Sequence, residues 1–523
     1  MALSAATAPL YACGIGESDR AVRSVEMSSD YRGSLRSIVS VGSASVVNVL
    51  AGLVKMKVAA VVLGPAGVGI INLFQQVVGT ASTIAALGLS NSGTREVAAA
   101  RSGQDVSELA AVRHALLWGT VALASIAATA VFLMREPLAA LVLADPLRAS
   151  EVGWLAIGVF LTVMAGSRRA VVNGYRRITE LALINLLTGV VSAVIAISAL
   201  LLWRDGAVVV FVLSSPLVSF MLASWFSSRL PRPPDHVVHW KHVGQAWRRM
   251  AMLGASFMLA ATVVSAGHLV VKTLLQQQLG AEALGLFSAV WLISQYSIGF
   301  LYTAITADFY PRLAAVAPHD ASFSRIINEQ AELGLLIAAP ILLAMLTFAP
   351  YVLQLLYSEE FVGASGLLQW FVLGDVLKTV AHPLGFALLA MSAGRTYLIV
   401  RLLATLSYVA AVWLLLTPVG LLGVGVAYVV MYVIYLPTLL LITARRSEFR
   451  LTQRVVAPMT ALLVLCTAVV LVSHVSEYGA LIVGGCAASA WLVAAVGLLV
   501  RRGALPNPKM LVRLASRRRR EDT

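Results

Sequence analysis

The sequence predicts an all-α polytopic membrane protein of about fourteen transmembrane helices, two six-helix lobes followed by a C-terminal helix pair. Three observations carry this. Of the 523 residues, 59% are hydrophobic and only 12% charged, against about 25% charged in a soluble domain; mean hydropathy is +0.86. The apolar runs are about 20 residues long, the length that takes a helix across a bilayer core of ~30 Å. Finally, one pattern occurs twice, as Leu63-Gly64-Pro65-Ala66-Gly67-Val68-Gly69 and as Leu279-Gly280-Ala281-Glu282-Ala283-Leu284-Gly285, an offset of 216 residues. In a membrane protein, similar halves at such a period point to a transporter with its site between them.

Taken in order, residues 1–34 are polar and lack the apolar core of a signal peptide, so they read as a cytoplasmic tail. Spans 1–6 of the N-lobe (35–228) fall at about 38–62, 68–89, 112–134, 153–174, 181–203 and 207–226. The linker 229–249 contains Pro231, Pro233 and Pro234, which cannot be helical throughout. Its polar end, with Trp240 and Trp247, suits the cytoplasmic membrane surface. Spans 7–12 of the C-lobe (250–445) fall at about 250–275, 284–307, 333–357, 367–391, 396–417 and 421–443. Segment 446–500 adds spans 13 and 14 at about 455–473 and 479–500, and 501–523 is a basic cytoplasmic tail. Six spans per half give the two halves the same orientation, related by an axis along the membrane normal.

Charge supports the count. Net charge is +14, which in a soluble chain would suggest nucleic acid. Here the basic residues collect in alternate loops, as cytoplasmic loops do, so no nucleic-acid partner is expected. Arg168, Arg169, Arg176 and Arg177, then Arg445, Arg446, Arg450 and Arg454, are examples on the proposed inside. Arg135, Arg148 and Arg204 are exceptions on the other side. Both termini are therefore expected in the cytoplasm. Cys13, Cys466 and Cys486 form no metal or disulfide spacing. The glycines of 64–69 are no nucleotide fingerprint, since no strand precedes them and no phosphate-loop Lys-Ser/Thr follows. No cofactor and no catalytic centre are expected.

Two motifs resemble a known family. One is Leu63–Gly69 followed by Phe74-Gln75-Gln76. The other runs from Leu355-Leu356-Tyr357-Ser358 through Phe361 and Trp370 to Leu373-Gly374-Asp375-Val376-Leu377-Lys378. Over about residues 38–445 the chain is similar to the Wzx-type polysaccharide (O-antigen and lipid III) flippases of the MOP superfamily. The resemblance implies a V-shaped pair of six-helix lobes. It also implies movement of undecaprenyl-pyrophosphate-linked oligosaccharide from the inner to the outer leaflet of a bacterial inner membrane by alternating access. A cationic cavity would hold the pyrophosphate-sugar head while the polyprenyl tail stays in membrane lipid. Proton or sodium coupling, and a polysaccharide polymerase as partner, belong to the same expectation. Family members commonly have twelve spans, so spans 13 and 14 are a departure.

A charge near the bilayer centre costs roughly 2.5–3.5 kcal/mol on insertion scales, so each such residue needs an account. Lys55 and Lys57 lie about 12 and 9 Å below the end of span 1, and Lys272 about 10 Å below the end of span 7. They suit cavity cations for pyrophosphate, or lysines snorkelling to the interface. Lys55 and Lys57 project about 200° apart, so at most one faces a cavity squarely. His268 precedes Lys272 by one turn and shares its face. Asp375 and Lys378 also share a face, with Asp375 near mid-membrane; they form an ion-coupling or gating pair, or a neutral lock between helices. Arg95, Arg169, Arg312 and Asp308 lie at cytoplasmic helix ends, as anchors or as a gate that first meets the anionic head. Gln75 and Gln76 suit sugar hydroxyls or helix bridging equally.

Two other functions compete. A cation-coupled multidrug exporter of the same superfamily would favour an anionic cavity, whereas the intramembrane charges are mainly lysines. A membrane glycosyltransferase or O-antigen polymerase would need larger loops or carboxylates outside; Glu359-Glu360 is the one acidic pair among the short outer loops.

Overall fold

The computed structural model describes residues 18–103, 106–231 and 240–501, with side chains from residue 47 apart from 256–257, 300–301, 303–307 and 477. Among the described residues every regular element is helical. The N-lobe contains α1 (Ser18–Ala85), α2 (Leu89–Ser102), α3 (Val106–Leu133), the single turn α4 (Arg135–Leu138), α5 (Ala149–Gly174), α6 (Ile178–Trp203) and α7 (Val208–Ser228). The C-lobe contains α8 (Trp240–Ala314), α9 (Ala321–Thr347), α10 (Ala349–Leu356), α11 (Ser365–Ala390), α12 (Gly394–Val419) and α13 (Leu422–Ser447). The chain continues into α14 (Gln453–Val475) and α15 (Glu477–Arg501).

Two of these helices are hairpins. At Gly64, with φ 65° and ψ −171°, and at Gly280, with φ 83° and ψ 179°, the backbone leaves the helical region. A positive φ of this kind is open to glycine and strained for other residues. A straight helix would separate Lys55 from Val78 by roughly 35 Å. Instead Lys55 Nζ lies 2.9 Å from Ser214 Oγ, and Val78 meets the adjacent Leu213 around Gly158. Likewise His268 and Trp291, as far apart in sequence, have ring centroids 4.5 Å apart. Both helices fold back on themselves.

The hairpins account for about fourteen crossings among the described residues. Eleven stretches are long and apolar enough to span a membrane. Three of them, Val47–Ala85 (39 residues), Ile178–Ser228 (51 residues) and Met258–Gly299 (42 residues), are about twice the length a bilayer requires. The first and third are broken at Gly64 and Gly280, and the second at the tight turn Arg204–Ala207. Each carries two crossings, giving the fourteen expected in a multi-pass membrane protein.

The repeat is written into the backbone. Gly64 and Gly280 share their left-handed conformation at the 216-residue offset. So do Arg176 (φ 57°) and Ser392 (φ 55°), in the turns that follow α5 and α11, and Arg204 (φ 46°) and Gly420 (φ 68°), after α6 and α12. The two hairpin turns cross reciprocally. A Cβ on Gly69 would run into Ala281 O, and one on Gly285 into Pro65 O, its counterpart at the same offset. Gly285→Val is accordingly expected to destabilise the protein by roughly 1–3 kcal/mol, the cost of overpacking. Gly52→Val, where a Cβ meets nothing within 4 Å, is expected to have less effect; thermal unfolding in detergent compares the two.

Two expectations need adjustment. The backbone is already helical at Ser18, the first described residue, inside the segment expected as a tail, and no proline interrupts between Pro9 and Pro65. Residues 1–17, the proline-rich 232–239 and the basic 502–523 lie outside the described residues. Residues 240–249 are the first turns of α8 and no separate surface segment: no proline occurs between Pro234 and Pro311. Trp247 packs on Gly119 of α3, and Arg249 pairs with Glu96 (3.3 Å) and Glu108 (3.0 Å) of the N-lobe.

The extra pair α14–α15 docks on the flank of the C-lobe. Asn328 of α9 accepts from Thr452 N (2.9 Å) and donates to Arg450 O (3.0 Å). Gly484 abuts Thr347, also on α9. Neither α14 nor α15 supplies a wall to the cavities described next.

Candidate functional site

Each lobe holds a polar cavity beside its left-handed turn, at Arg176 or at Ser392. The C-lobe cavity, of about 460 Å³, lies among α8, α11, α12 and α13. Its charges come from Lys378 and Arg401, with His268 and His382 nearby. Among the described residues no carboxylate lines it. The nearest one, Asp375, is fully buried behind Lys378. It accepts from Ser294 Oγ (2.6 Å), Tyr428 OH (3.0 Å) and Lys378 Nζ (3.4 Å). Lys378 also donates to Gln295 Oε1 at 2.6 Å. Thus Asp375 on α11 is tied to α8 and α13 at once, and its charge is compensated in place. A buried carboxylate needs such partners, because an uncompensated charge is costly away from water.

Aromatic rings complete the wall. Tyr302 stacks on His382 with centroids 4.2 Å apart. Trp291 meets His268 at 4.5 Å and Tyr428 at 6.0 Å. Tyr408, Tyr432 and Tyr435 continue the lining. Cations set in a low-dielectric, ring-lined site attract anionic oxygens far more strongly than they would in water.

The N-lobe cavity, of about 730 Å³, lies between α1, α2, α5, α6 and α7. Among the described residues its one charged wall residue is Arg169, which donates to Asn185 Oδ1 at 2.5 Å. Hydroxyls and amides supply most of its other polar atoms. The seam between the cavities is polar: Gln76 Nε2 donates to Ser265 O (3.1 Å), and the Thr80 and Ser265 hydroxyls lie 2.9 Å apart. Gln76 therefore bridges helices, while Gln75 is exposed.

The five cations expected to share one cavity do not converge. Lys55 is buried in the N-lobe, donating to Phe211 O (3.0 Å) and Ser214 Oγ (2.9 Å) with its ammonium 4.1 Å from the Phe211 ring centre. Lys57, on the opposite side of the helix, reaches α10 and donates to Gln354 O at 2.8 Å. Lys272 is buried against α1, 3.5 Å from Asn72 O. Arg95 is exposed in the middle of α2 rather than at the helix end where it was expected, because the chain past span 2 turns at Gly88 and starts a new helix. Arg312 is exposed near the end of α8 and pairs with Asp308 at 3.0 Å, both side chains facing outward. None of these residues lines either cavity. Asp375, Lys378 and His268 do come together in the C-lobe. Arg169, considered from the sequence as an anchor or gate, lines the N-lobe cavity. Arg401 was missing from the expected set because it lies a little over one turn inside the expected end of span 11, where anchoring accounts for an arginine equally well. Lys57→Ala removes a single exposed bond and is expected to change stability by about 1 kcal/mol or less, measured by thermal unfolding.

The family described as polysaccharide biosynthesis protein matches residues 34–316, more than half of the chain. The chain belongs to this family. Among curated relatives, the lipid III flippases of Escherichia coli (strain K12) and Shigella flexneri are each 24% identical over 402 residues. The alignment covers 75% of this chain and 94% of theirs. Among solved structures, the lipid II flippase MurJ in an inward closed conformation superposes with a TM-score of 0.64 at 13% identity, covering 89% of this chain and all of that one. An inward-facing multidrug resistance MATE family transporter of the MOP superfamily gives 0.63 at 14% identity, covering 77% and 96%. The fold of the chain is thus the two-lobed MOP fold. Among the described residues no cluster of His, Cys, Asp and Glu is fit to hold a metal ion.

Proposed function

We propose that the protein is a flippase that moves polyprenyl-pyrophosphate-linked oligosaccharide from the inner to the outer leaflet of a bacterial inner membrane by alternating access, with both termini in the cytoplasm. The observation that carries this is the C-lobe cavity. Its charged lining is cationic, and the one nearby carboxylate is already bound to Lys378. Lys378 and Arg401 would take the pyrophosphate oxygens, and the ring faces of Trp291 and Tyr302 would meet the C–H faces of sugars. The relatives' names agree with this, and the lining disfavours the cationic drugs of a multidrug exporter. No covalent chemistry is assigned to the chain. Asp375, tied to two other helices, is the group on which a proton or sodium gradient would act.

The test is translocation in proteoliposomes. Lipid-linked oligosaccharide is incorporated during reconstitution, and the fraction open to an externally added glycosidase is followed with time. The protein is expected to render the protected pool accessible, and inorganic pyrophosphate in excess is expected to slow the process. Protection equal to that in protein-free vesicles, under imposed proton and sodium gradients alike, would remove the flippase reading.

A further inference from the structure

The two cavities are copies of one site. At the 216-residue offset that relates the turns, Gly79, Thr83 and Ala86 of the N-lobe lining fall on Gln295, Gly299 and Tyr302 of the C-lobe lining. Thr162, Gly166 and Arg169 fall on Lys378, His382 and Gly385. Asn185 falls on Arg401, and Pro216 and Ser219 fall on Tyr432 and Tyr435. The duplicated walls have diverged in one direction. Where the C-lobe copy carries an ammonium, an imidazole and phenols, the N-lobe copy carries a hydroxyl, a glycine and small side chains. Its own cation, Arg169, is engaged by Asn185. The result is a larger cavity with donors and acceptors but little charge. Ser82 Oγ, on its wall, is buried and has no hydrogen-bond partner among the described residues.

We propose that the N-lobe cavity is a separate subsite for uncharged, polyhydroxylated sugar rings. Its size is within the ~300–1,000 Å³ of small-molecule sites. A sugar hydroxyl both donates and accepts, which matches mixed serine, threonine and asparagine lining and gains little from a row of cations. An unpaired buried hydroxyl such as Ser82 Oγ gains most from such a ligand, since leaving it unmet is costly. Position agrees. Both cavities lie beside the corresponding turns at Arg176 and Ser392, and one helix pair separates them: Gly79 and Thr83 line the N-lobe cavity, Val264 and Gly267 the C-lobe cavity. Under the proposed function, on which this inference rests, a head group with its pyrophosphate at Lys378 and Arg401 would place its distal sugars across that seam.

The experiment uses the full-length protein in nanodiscs with two soluble probes, a neutral tetrasaccharide bearing no lipid or phosphate, and inorganic pyrophosphate. Saturation-transfer NMR and calorimetry read the binding of each. The tetrasaccharide is expected to bind, and the Ser82→Ala/Ser219→Ala variant, which changes little volume, to weaken it about fivefold or more. Asn185→Leu is expected to weaken it further, and Arg401→Gln to leave it unchanged. Pyrophosphate is expected to respond in the opposite way. Absence of tetrasaccharide binding, or binding that only Arg401→Gln disturbs, overturns the subsite. Tetrasaccharide binding that follows the N-lobe variants, with no pyrophosphate binding at all, keeps the subsite and removes the cationic-site reading instead.

Discussion

Arg401→Gln is expected to lower the rate of lipid-linked oligosaccharide translocation by roughly 10- to 100-fold. The size follows from the site. A charge-assisted hydrogen bond is worth about 1.5–3 kcal/mol, and each 1.4 kcal/mol is about a factor of ten. Glutamine keeps a polar end on a shorter side chain and loses the charge and the planar fork that meets two phosphate oxygens. Arg401→Lys keeps the charge alone and is expected to fall between the two. Arg401 lines the cavity and is half-buried, so neither variant opens a hole in the core, and the amount of folded protein is expected to stay the same. The control is Lys57→Ala, which alters a cation bound to α10 away from both cavities. Equal rates for Arg401→Gln and wild type, at equal reconstitution, would take Arg401 out of the binding site.

Most of the fold was legible because the bilayer imposes it. Span length, proline breaks and the basic bias of alternate loops are properties of one dimension, and each survives in the sequence. The repeat was legible for the same reason, since Gly64 and Gly280 are needed wherever a helix turns back on itself. Arg176, Ser392 and Arg204 carry the same backbone signature without being glycine, so composition could not disclose them. The site was less legible because depth along a helix leaves direction open. Lys55 and Lys57 have nearly the same depth, yet one enters the N-lobe core and the other crosses to α10. Lys272 corresponds to Met56 at the repeat offset, and it packs on the backbone of α1. The partners that decide these outcomes, Ser214, Gln354 and Asn72, lie far away in the chain. Asp375 and Lys378 could be paired from sequence, being three residues apart. Ser294 and Tyr428, which complete the cluster, could not.

That cluster gives the largest expected change in stability, and two variants together separate a structural lock from a binding cation. Asp375→Ala removes a fully buried carboxylate and leaves Lys378, whose side chain is 16% exposed, without its counter-charge. Breaking a buried pair from one side costs about 3–5 kcal/mol, so unfolding in detergent is expected to occur at a clearly lower temperature. Asp375→Asn retains an acceptor for Ser294 and Tyr428 and is expected to lose less. Adding Lys378→Met to Asp375→Ala removes the stranded charge and is expected to restore much of the stability, because the penalty belongs to the unpaired ion. Translocation should behave differently. If Lys378 meets the pyrophosphate, the double variant regains its fold while remaining slow. If Lys378 serves only to neutralise Asp375, translocation recovers along with stability, and the anion site contracts to Arg401. Asp375→Asn adds the remaining distinction: a normal rate that no longer responds to an imposed proton or sodium gradient would make the carboxylate the coupling group, since the amide keeps the shape and loses the charge.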